Sequence, residues 1–486
     1  MDLSTLRQQN IHIVGATSAE GSAILDFLLD HGCECLTAHD VCAPREIHRH
    51  YRLTHLTQPV KAVNATIRRW KSAVTLCHAD DYLKGIEHAD LIFVTQAWFK
   101  YPPNFPKLPE VRQQGIPFRT ITQLYFELFP GTIIGITGTN GKSTTTALVA
   151  QILEQEARLT GTFRVLHSGN ERHVSQVLDQ LEHCSPADVL VLEISNRQLI
   201  ELDRAPHIAT ITNITPDHLD DHPSFADYVQ IKTKMFRLQT PDDVAILNRD
   251  HELTRQIQSV VTAKRVLTYS FKGDPAAEAI YRDDHLWWRQ PDGDFQPICH
   301  RSEFPLRGNH NIENALAAIL TTKAFGARSE AIQSALQSFR GLPYRTEVVA
   351  TLDGVEYIND VKSTTPAATI AALQSLSQPV ILIAGGGGKG DLDYQPLAHQ
   401  ISQHVKALIL LSGEGATAIA AAMAGLDTPL YYQQTLEQAI LQAKTLAVAG
   451  DVVLLSPACP YFSSTFGASP RGGFTQLIEE LQQNHA

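Results

Sequence analysis

No apolar run in this 486-residue sequence approaches the ~18 uninterrupted residues that a membrane-spanning helix needs. The opening Met-Asp-Leu-Ser-Thr has neither the basic segment nor the apolar stretch of a secretory signal, so a cytoplasmic protein is expected. Basic blocks are missing too. With 40 Lys and Arg against 51 Asp and Glu, the formal charge is -11, which argues against general nucleic-acid binding and requires acidic substrates to be held by local sites. The seven cysteines are scattered; Cys33 and Cys35 form a Cys-x-Cys, but no second pair or His pair completes a zinc spacing, so they read as buried or incidental thiols. Internal repeats and low-complexity tracts are also absent.

What is present is soluble α/β composition, 43% hydrophobic and 19% charged, in a chain long enough for about three domains of ~150 residues. Short apolar strands alternate with helix-like stretches. Ile11 to Val14 leads through Gly15 and Gly21 into a helix predicted over Ser22 to Asp30, then a second strand near Cys35 to Ala38. This resembles a dinucleotide-fold opening. Gly-Ala-Thr-Ser-Ala-Glu-Gly is not a strict Gly-x-Gly-x-x-Gly, however, and reads equally as a tight turn or a phosphate-contacting loop. After a strand at Asp90 to Thr95, the Pro- and aromatic-rich Trp98 to Pro109 is expected to be a loop, and the first domain to end near Pro130. Strands at Thr132 to Ile136, Val189 to Ile194 and Ile208 to Ile214, then at Val380 to Ala384, Ala407 to Leu411 and Val452 to Ser456, predict mostly parallel sheets covered by helices. The expected domains are 1–130, 131–340 and 341–486.

The most informative segment is Gly135-Ile-Thr-Gly-Thr-Asn-Gly-Lys-Ser-Thr, which joins an apolar strand to a helix-like stretch. It reads as a phosphate-binding loop for ATP or GTP. Gly138, Thr139, Asn140 and Gly141 let backbone N–H groups approach a triphosphate, Lys142 neutralises β- and γ-phosphate charge, and either Ser143 or Thr144 is suited to Mg²⁺. Downstream, Glu193 follows an apolar strand and is placed to hold Mg²⁺ directly or through water. His218, in the polar loop Asn213-Ile-Thr-Pro-Asp-His, is selected as a metal ligand or phosphate contact. Tyr228 and Lys232 are four helical positions apart and so share a face.

Together these segments resemble the Mur ligase family, the ATP-dependent amino-acid ligases of peptidoglycan precursor synthesis. The resemblance covers nearly the whole chain and rests on the order of Gly138-Thr-Asn-Gly-Lys-Ser-Thr, Leu192-Glu-Ile-Ser, Asn213-Ile-Thr-Pro-Asp-His-Leu-Asp, Tyr228-Val-Gln-Ile-Lys, Gly308-Asn-His-Asn-Ile-Glu-Asn-Ala, Leu342-Pro-Tyr-Arg-Thr-Glu and Tyr357-Ile-Asn-Asp-Val-Lys-Ser-Thr. Asn-Asp-Val-Lys-Ser-Thr and Leu455-Ser-Pro-Ala-Cys are similar to the glutamate-adding branch of the family. The resemblance implies a Rossmann-like N-terminal domain that binds a UDP-muramoyl substrate, a central P-loop ATPase domain and a Rossmann-like C-terminal domain that binds the amino acid.

It also implies roles. The family transfers the γ-phosphoryl group of ATP to a carboxylate, and an incoming amine attacks the acyl phosphate while two Mg²⁺ ions offset anionic repulsion. By this match Lys142 holds phosphate, Ser143 and Glu193 serve one metal, His218 the other, and Lys232 is the family lysine that becomes carbamylated. Asn311 and Asn314 fall where an Asn lies near adenine, Arg345 and Asp360 match phosphate and ribose contacts, and Lys362, Thr364 and Lys389 match groups that orient ATP and glutamate. Asn170 resembles a substrate-contacting Asn.

Two departures bear on specificity. Pro460-Tyr-Phe-Ser-Ser-Thr-Phe-Gly replaces the common Ala-Ser-Leu-Asp, so Tyr461 and Phe462 stand at the glutamate pocket, and Thr95-Gln-Ala-Trp replaces a common Ser-Pro-Gly near the muramoyl substrate. The resemblance implies ligation of D-glutamate to UDP-N-acetylmuramoyl-L-alanine by a monomer, with no nucleic-acid partner and no membrane insertion. L-glutamate is the alternative acceptor. Folylpolyglutamate synthetase-like ligation and a nonenzymatic nucleotide-dependent assembly role are the readings from other classes.

Overall fold

The computed structural model describes residues 3–55, 58–169, 176–215, 222–387, 392–459 and 470–483. By internal contacts the chain divides into two compact units, one of Met1–Glu303 with Glu313–Gln337, the other of Phe304–Ile312 with Ser338–Ala486.

The first unit holds two sheets. Strands β1 (Ile11–Val14), β2 (Leu36–Asp40), β3 (Thr75–His78), β4 (Leu91–Val94) and β5 (Phe118–Arg119) form an all-parallel sheet in the order β3-β2-β1-β4-β5. The helix after β1 spans Ala19–Asp30, three residues longer at its start than the sequence reading, because Ser18 caps it by accepting the Gly21 N–H at 3.0 Å. Gly21 is obligatory there. A Cβ would sit 2.2 Å from the Gly15 carbonyl oxygen. The expected loop over Trp98 to Pro109 instead contains two 3₁₀ turns and the start of helix Lys107–Gln113. Pro109 falls in the first turn of that helix, where its missing N–H has no intrahelical acceptor to lose.

The second sheet comprises β6 (Thr132–Thr137), β7 (Val165–Ser168), β8 (Val189–Glu193), β9 (Ile208–Ile211), β10 (Val244–Asn248), β11 (Arg265–Ser270), β12 (Ala279–Arg282), β13 (His285–Arg289) and β14 (Phe295–His300), in the order β14-β13-β12-β11-β10-β9-β6-β8-β7. The seven strands β6 to β12 run parallel to one another, and β13 and β14 follow β12 as an antiparallel meander. β6 is therefore central, with β8 and β9 on its two sides. One apolar cluster joins the two sheets, containing Ile13 and Phe93 of the first, Leu192 and Ile211 of the second, and Ile121, Leu124 and Phe126 from helix Ile121–Leu128. Arg112 clamps Glu201 with both ends of its guanidinium, at 2.7 and 2.9 Å, and lies over the Trp98 ring.

The second unit is built on β15 (Glu347–Leu352), β16 (Val355–Asn359), β17 (Val380–Gly385), β18 (Val405–Leu411), β19 (Leu430–Gln433) and β20 (Val452–Leu455), in the order β15-β16-β20-β17-β18-β19. All pairs are parallel except the β15–β16 hairpin. Apolar clusters cover both faces, as a parallel sheet requires. No helix among the described residues is long and apolar enough to cross a membrane.

Candidate active site

The loop between β6 and helix Lys142–Thr160 is held from two sides. Gly138 (φ +145°) and Gly141 (φ +83°) have backbone conformations that L side chains rarely adopt, and both are crowded. A Cβ on Gly138 would lie 1.9 Å from Thr212 Oγ1, and one on Gly141 would lie 2.2 Å from Asn314 Oδ1. The segment after β9 forms one wall. Thr139 donates its N–H to the Asn213 carbonyl at 2.8 Å, Asn140 donates its N–H to Asn213 Oδ1 at 2.9 Å, and Thr212 Oγ1 donates to the Asn140 carbonyl at 2.6 Å. Lys142 Nζ donates to the Thr139 carbonyl at 2.7 Å, which keeps the ammonium over the loop. The loop thus leads into the N-terminus of a 19-residue helix, where unpaired N–H groups and the helix dipole favour an anion.

Helix Phe225–Arg237 supplies the second side. Tyr228 and Lys232 do share a face, and both reach the loop: the Tyr228 hydroxyl is 3.0 Å from Thr139 Oγ1, and Lys232 Nζ donates to the Gly138 carbonyl at 2.7 Å and to Thr137 Oγ1 at 3.3 Å. Lys232 is only 1% exposed, and its ammonium lies 5.4 Å from the Tyr228 ring centroid. Burying a cation this completely is tolerable only with such partners.

Glu193 ends β8, in register with Ile136 of β6, so its carboxylate stands one strand away from the mouth of the loop. It is 7% exposed and lines a small cavity with Tyr125, Ser168, Gly169, Gln176 and Gln198. Gly169 packs against it so closely that a Cβ would come within 2.9 Å of the Glu193 Cβ. Ser143, the second residue of the helix, is 8% exposed. A hydroxyl and a carboxylate are hard oxygen donors and fit Mg²⁺.

In the second unit, Asp360 follows β16 and is buried. Its carboxylate accepts the Thr346 N–H at 3.0 Å and the Ser456 hydroxyl at 2.8 Å, and burial pushes its pKa up to about 6. Ser456, beyond β20, also meets the Thr369 hydroxyl at 2.9 Å. Arg345 lies between Tyr344 (φ +67°) and Thr346 (φ +46°), two non-glycine residues in the left-handed region. Such strain persists where surrounding bonds fix it: Glu347 accepts the Tyr344 N–H at 2.8 Å, while Asp360 holds Thr346. Lys362 donates its N–H to the Tyr344 carbonyl, and Ser363 accepts from Ala458, itself at φ +58°. Thr364 precedes Thr365, the cap of helix Pro366–Gln374. Asn311 donates to the Arg307 carbonyl at 2.7 Å, and Arg307 in turn forms a two-pronged pair with Glu356.

Residues 136–322 match the Mur ligase middle domain, and 344–459 match the Mur ligase glutamate ligase domain. The chain is 36% identical to the UDP-N-acetylmuramoylalanine–D-glutamate ligase of Symbiobacterium thermophilum over 413 residues, 84% of this chain and 88% of that one. This chain belongs to the Mur ligase family. It is also 37% identical over 396 residues to the protein of the same name from Koribacter versatilis, covering 81% of this chain and 84% of that one. Among solved structures, the UDP-N-acetylmuramate-alanine ligase of Thermotoga maritima superposes with a TM-score of 0.61 at 18% identity, covering 98% and 100% of the two chains. The MurF ligase of Thermotoga maritima in complex with ADP gives 0.57 at 14% identity, covering 100% and 97%. At those identities the likeness is one of fold, the three-domain α/β architecture of Mur ligases.

Of the site residues expected from the ligase sequence, Gly138 to Thr144, Asn314 and Lys232 are gathered at the phosphate loop, with Glu193 on the adjacent strand. Asn170, His218, Lys389, Tyr461 and Phe462 lie outside the described residues. Sequence reasoning passed over Thr212 and the Asn213 side chain, which shape the loop, and Ser456 and Thr346, which hold Asp360. Asn213 and Ser456 sat inside motifs already recognised. Their roles became visible only through their partners.

Proposed function

We propose that this Mur ligase joins D-glutamate to UDP-N-acetylmuramoyl-L-alanine, cleaving ATP to ADP and phosphate. A substrate carboxylate oxygen attacks the γ-phosphorus, the bond to ADP breaks, and the glutamate amine then attacks the acyl carbon, losing a proton as phosphate departs. The observation that carries this reading is the phosphate loop tied to Tyr228 and Lys232, in a chain whose D-glutamate ligase relatives align over most of their length.

In this reading 1–130 binds the UDP-muramoyl substrate, 131–340 binds ATP and 341–486 binds the amino acid, all within a monomer. Gly138 to Thr144 cradle the phosphates, and Lys142 holds negative charge as it moves toward ADP. Asn311, Asn314, Arg345, Asp360 and Lys362 bind nucleotide; the buried Asp360 acts by fixing the backbone beside Arg345. Asn170, Thr364, Lys389, Tyr461 and Phe462 contact the amino-acid or muramoyl substrates. Ser143, Glu193, His218 and Lys232 would hold two Mg²⁺ ions, Lys232 as its carbamate, formed when the neutral amine adds CO₂ and releases a proton. Bound Mg²⁺ supplies positive charge that offsets repulsion between carboxylate and triphosphate.

The test is an assay of amide formation and phosphate release with UDP-N-acetylmuramoyl-L-alanine and each glutamate enantiomer. D-glutamate-dependent product supports the proposal. Turnover with L-glutamate alone reassigns the acceptor, turnover only with a folate acceptor reassigns the substrate, and ATP binding without any amide leaves a nonenzymatic assembly role.

A further inference from the structure

The ties on the phosphate loop continue one layer inward, through residues to which the ligase reading gives no role. Leu247 of β10 lies opposite Ile211 of β9, and Asn248 opposite Tyr269 of β11, so Asn248 and Tyr269 stand near Thr212 at the carboxyl ends of three adjacent strands. Both hold the Thr212 carbonyl. The Asn248 amino group donates to it at 3.0 Å and the Tyr269 hydroxyl at 3.1 Å. Asn248 is fully buried, and both ends of its amide are bonded: the oxygen accepts the Asp250 N–H at 3.0 Å, and the amino group also donates to Glu313 Oε2 at 3.3 Å. With acceptors around the nitrogen and a donor at the oxygen, only one orientation of this amide satisfies the site. Glu313 is half-buried in helix Asn309–Phe325, 3.7 Å from His251 Nε2. The next residue, Asn314, is the one that packs against Gly141.

We propose, on the reading of this loop as the ATP site, that Asn248 is a positioning residue for the nucleotide: with Glu313 it closes a circuit Asn140–Thr212–Asn248–Glu313–Asn314–Gly141 that sets the direction of the loop's N–H groups. Each link is a hydrogen bond, a peptide bond or a packing contact. A trans peptide points its C=O and N–H in opposite directions. Because the Thr212 hydroxyl holds the Asn140 carbonyl, the Gly141 N–H is directed away from Thr212. Gly141, at φ +83°, has the conformational freedom to let that peptide turn, so the loop needs an outside anchor. Asn248 and Tyr269 supply it by fixing the Thr212 backbone, and Glu313 fixes Asn248. Donors held in place before the ligand arrives need no reordering when it binds. Glu313 acts on the loop only through these neighbours, so the circuit can be cut there without touching a phosphate contact. Its members are scattered along the chain, and only the fold brings them together.

The probe is ADP with Mg²⁺, titrated by calorimetry into the full-length protein. Glu313→Ala should weaken ADP about tenfold at unchanged stoichiometry, the effect of losing one hydrogen bond to a charged group. A merely destabilised protein would lose binding-competent molecules rather than affinity. Glu313→Gln keeps an acceptor for the Asn248 amide and should stay within about threefold of the unmodified protein. Once Thr212→Ala has cut the link to Asn140, adding Glu313→Ala should cost less than about twofold more. Unchanged ADP affinity in Glu313→Ala, equal losses in Glu313→Ala and Glu313→Gln, or additive losses in the double variant would each overturn the proposal while leaving the nucleotide site in place. Failure of the unmodified chain to bind ADP would overturn the reading of the loop itself, and the role of Asn248 with it.

Discussion

Lys232 Nζ donates to the Gly138 carbonyl at 2.7 Å, so a buried ammonium on one helix fixes the first residue of the phosphate loop on another segment. Removing it should orphan that carbonyl and cost about 1–3 kcal/mol of stability. Lys232→Ala should also abolish ligation. Added bicarbonate would not restore it, whereas a short carboxylic acid, by placing an anion in the vacated space, should restore a fraction. Equal rescue by both, or by neither, would separate a purely structural lysine from one that works as its carbamate.

Gly138 is the loop position least tolerant of a side chain. Gly138→Ala combines a φ of +145° with a Cβ 1.9 Å from Thr212 Oγ1, so strain of about 1–3 kcal/mol is expected in addition to the clash. Thr212→Ala removes the clashing atom but also the bond to the Asn140 carbonyl. The double variant should therefore be more stable than the sum of the two single losses, with a coupling of about 0.5–3 kcal/mol. Thermal unfolding of the four proteins measures that coupling, and simple additivity would place the strain elsewhere.

Lys142 differs from Lys232 in being partly exposed, with its ammonium bonded to the Thr139 carbonyl of its own loop. Lys142→Ala should leave the melting temperature almost unchanged and lower kcat by about 10²–10³, the usual effect of losing one preorganised charge stabiliser. Turnover within a few-fold of normal at saturating ATP would remove Lys142 from the phosphate site.

How much of this was legible in the sequence depended on whether a residue's partner was near in the chain. The strands that surround the phosphate loop are short and mostly apolar, and β1, β6, β8 and β17 lie within a residue or so of where their pattern puts them. The β12 to β14 meander escaped notice. Its first turn uses Asp283 and Asp284 at positive φ instead of a glycine, and its strands mix Arg, His and Trp rather than alternating cleanly. At the site, Lys142 and Glu193 follow strands and were visible, as was the i, i+4 pairing of Tyr228 with Lys232. The contact of Lys232 with Gly138, 94 residues away, was not.

Glu20 gives the protein a pH-dependent element where its two linked sheets meet. It lies in the first turn of helix Ala19–Asp30, is 7% exposed, and accepts the Gln96 N–H at 2.9 Å and a Gln198 side-chain N–H at 3.4 Å. Burial outweighs these bonds and raises its pKa from 4.5 to about 7. A carboxyl whose folded pKa is raised contributes its full stabilisation below the unfolded value, and that contribution declines as pH climbs through the folded value. Between about pH 4.5 and 7 the unfolded chain ionises Glu20 while the folded chain resists, a loss of about 3 kcal/mol across the window. Glu20→Gln mimics the protonated acid at every pH. Its urea midpoint relative to the unmodified protein should therefore rise from about pH 4.5 to about pH 7 and level off above. A difference independent of pH would mean that Glu20 is ionised in the folded protein throughout, with Gln96 and Gln198 stabilising the anion rather than the acid.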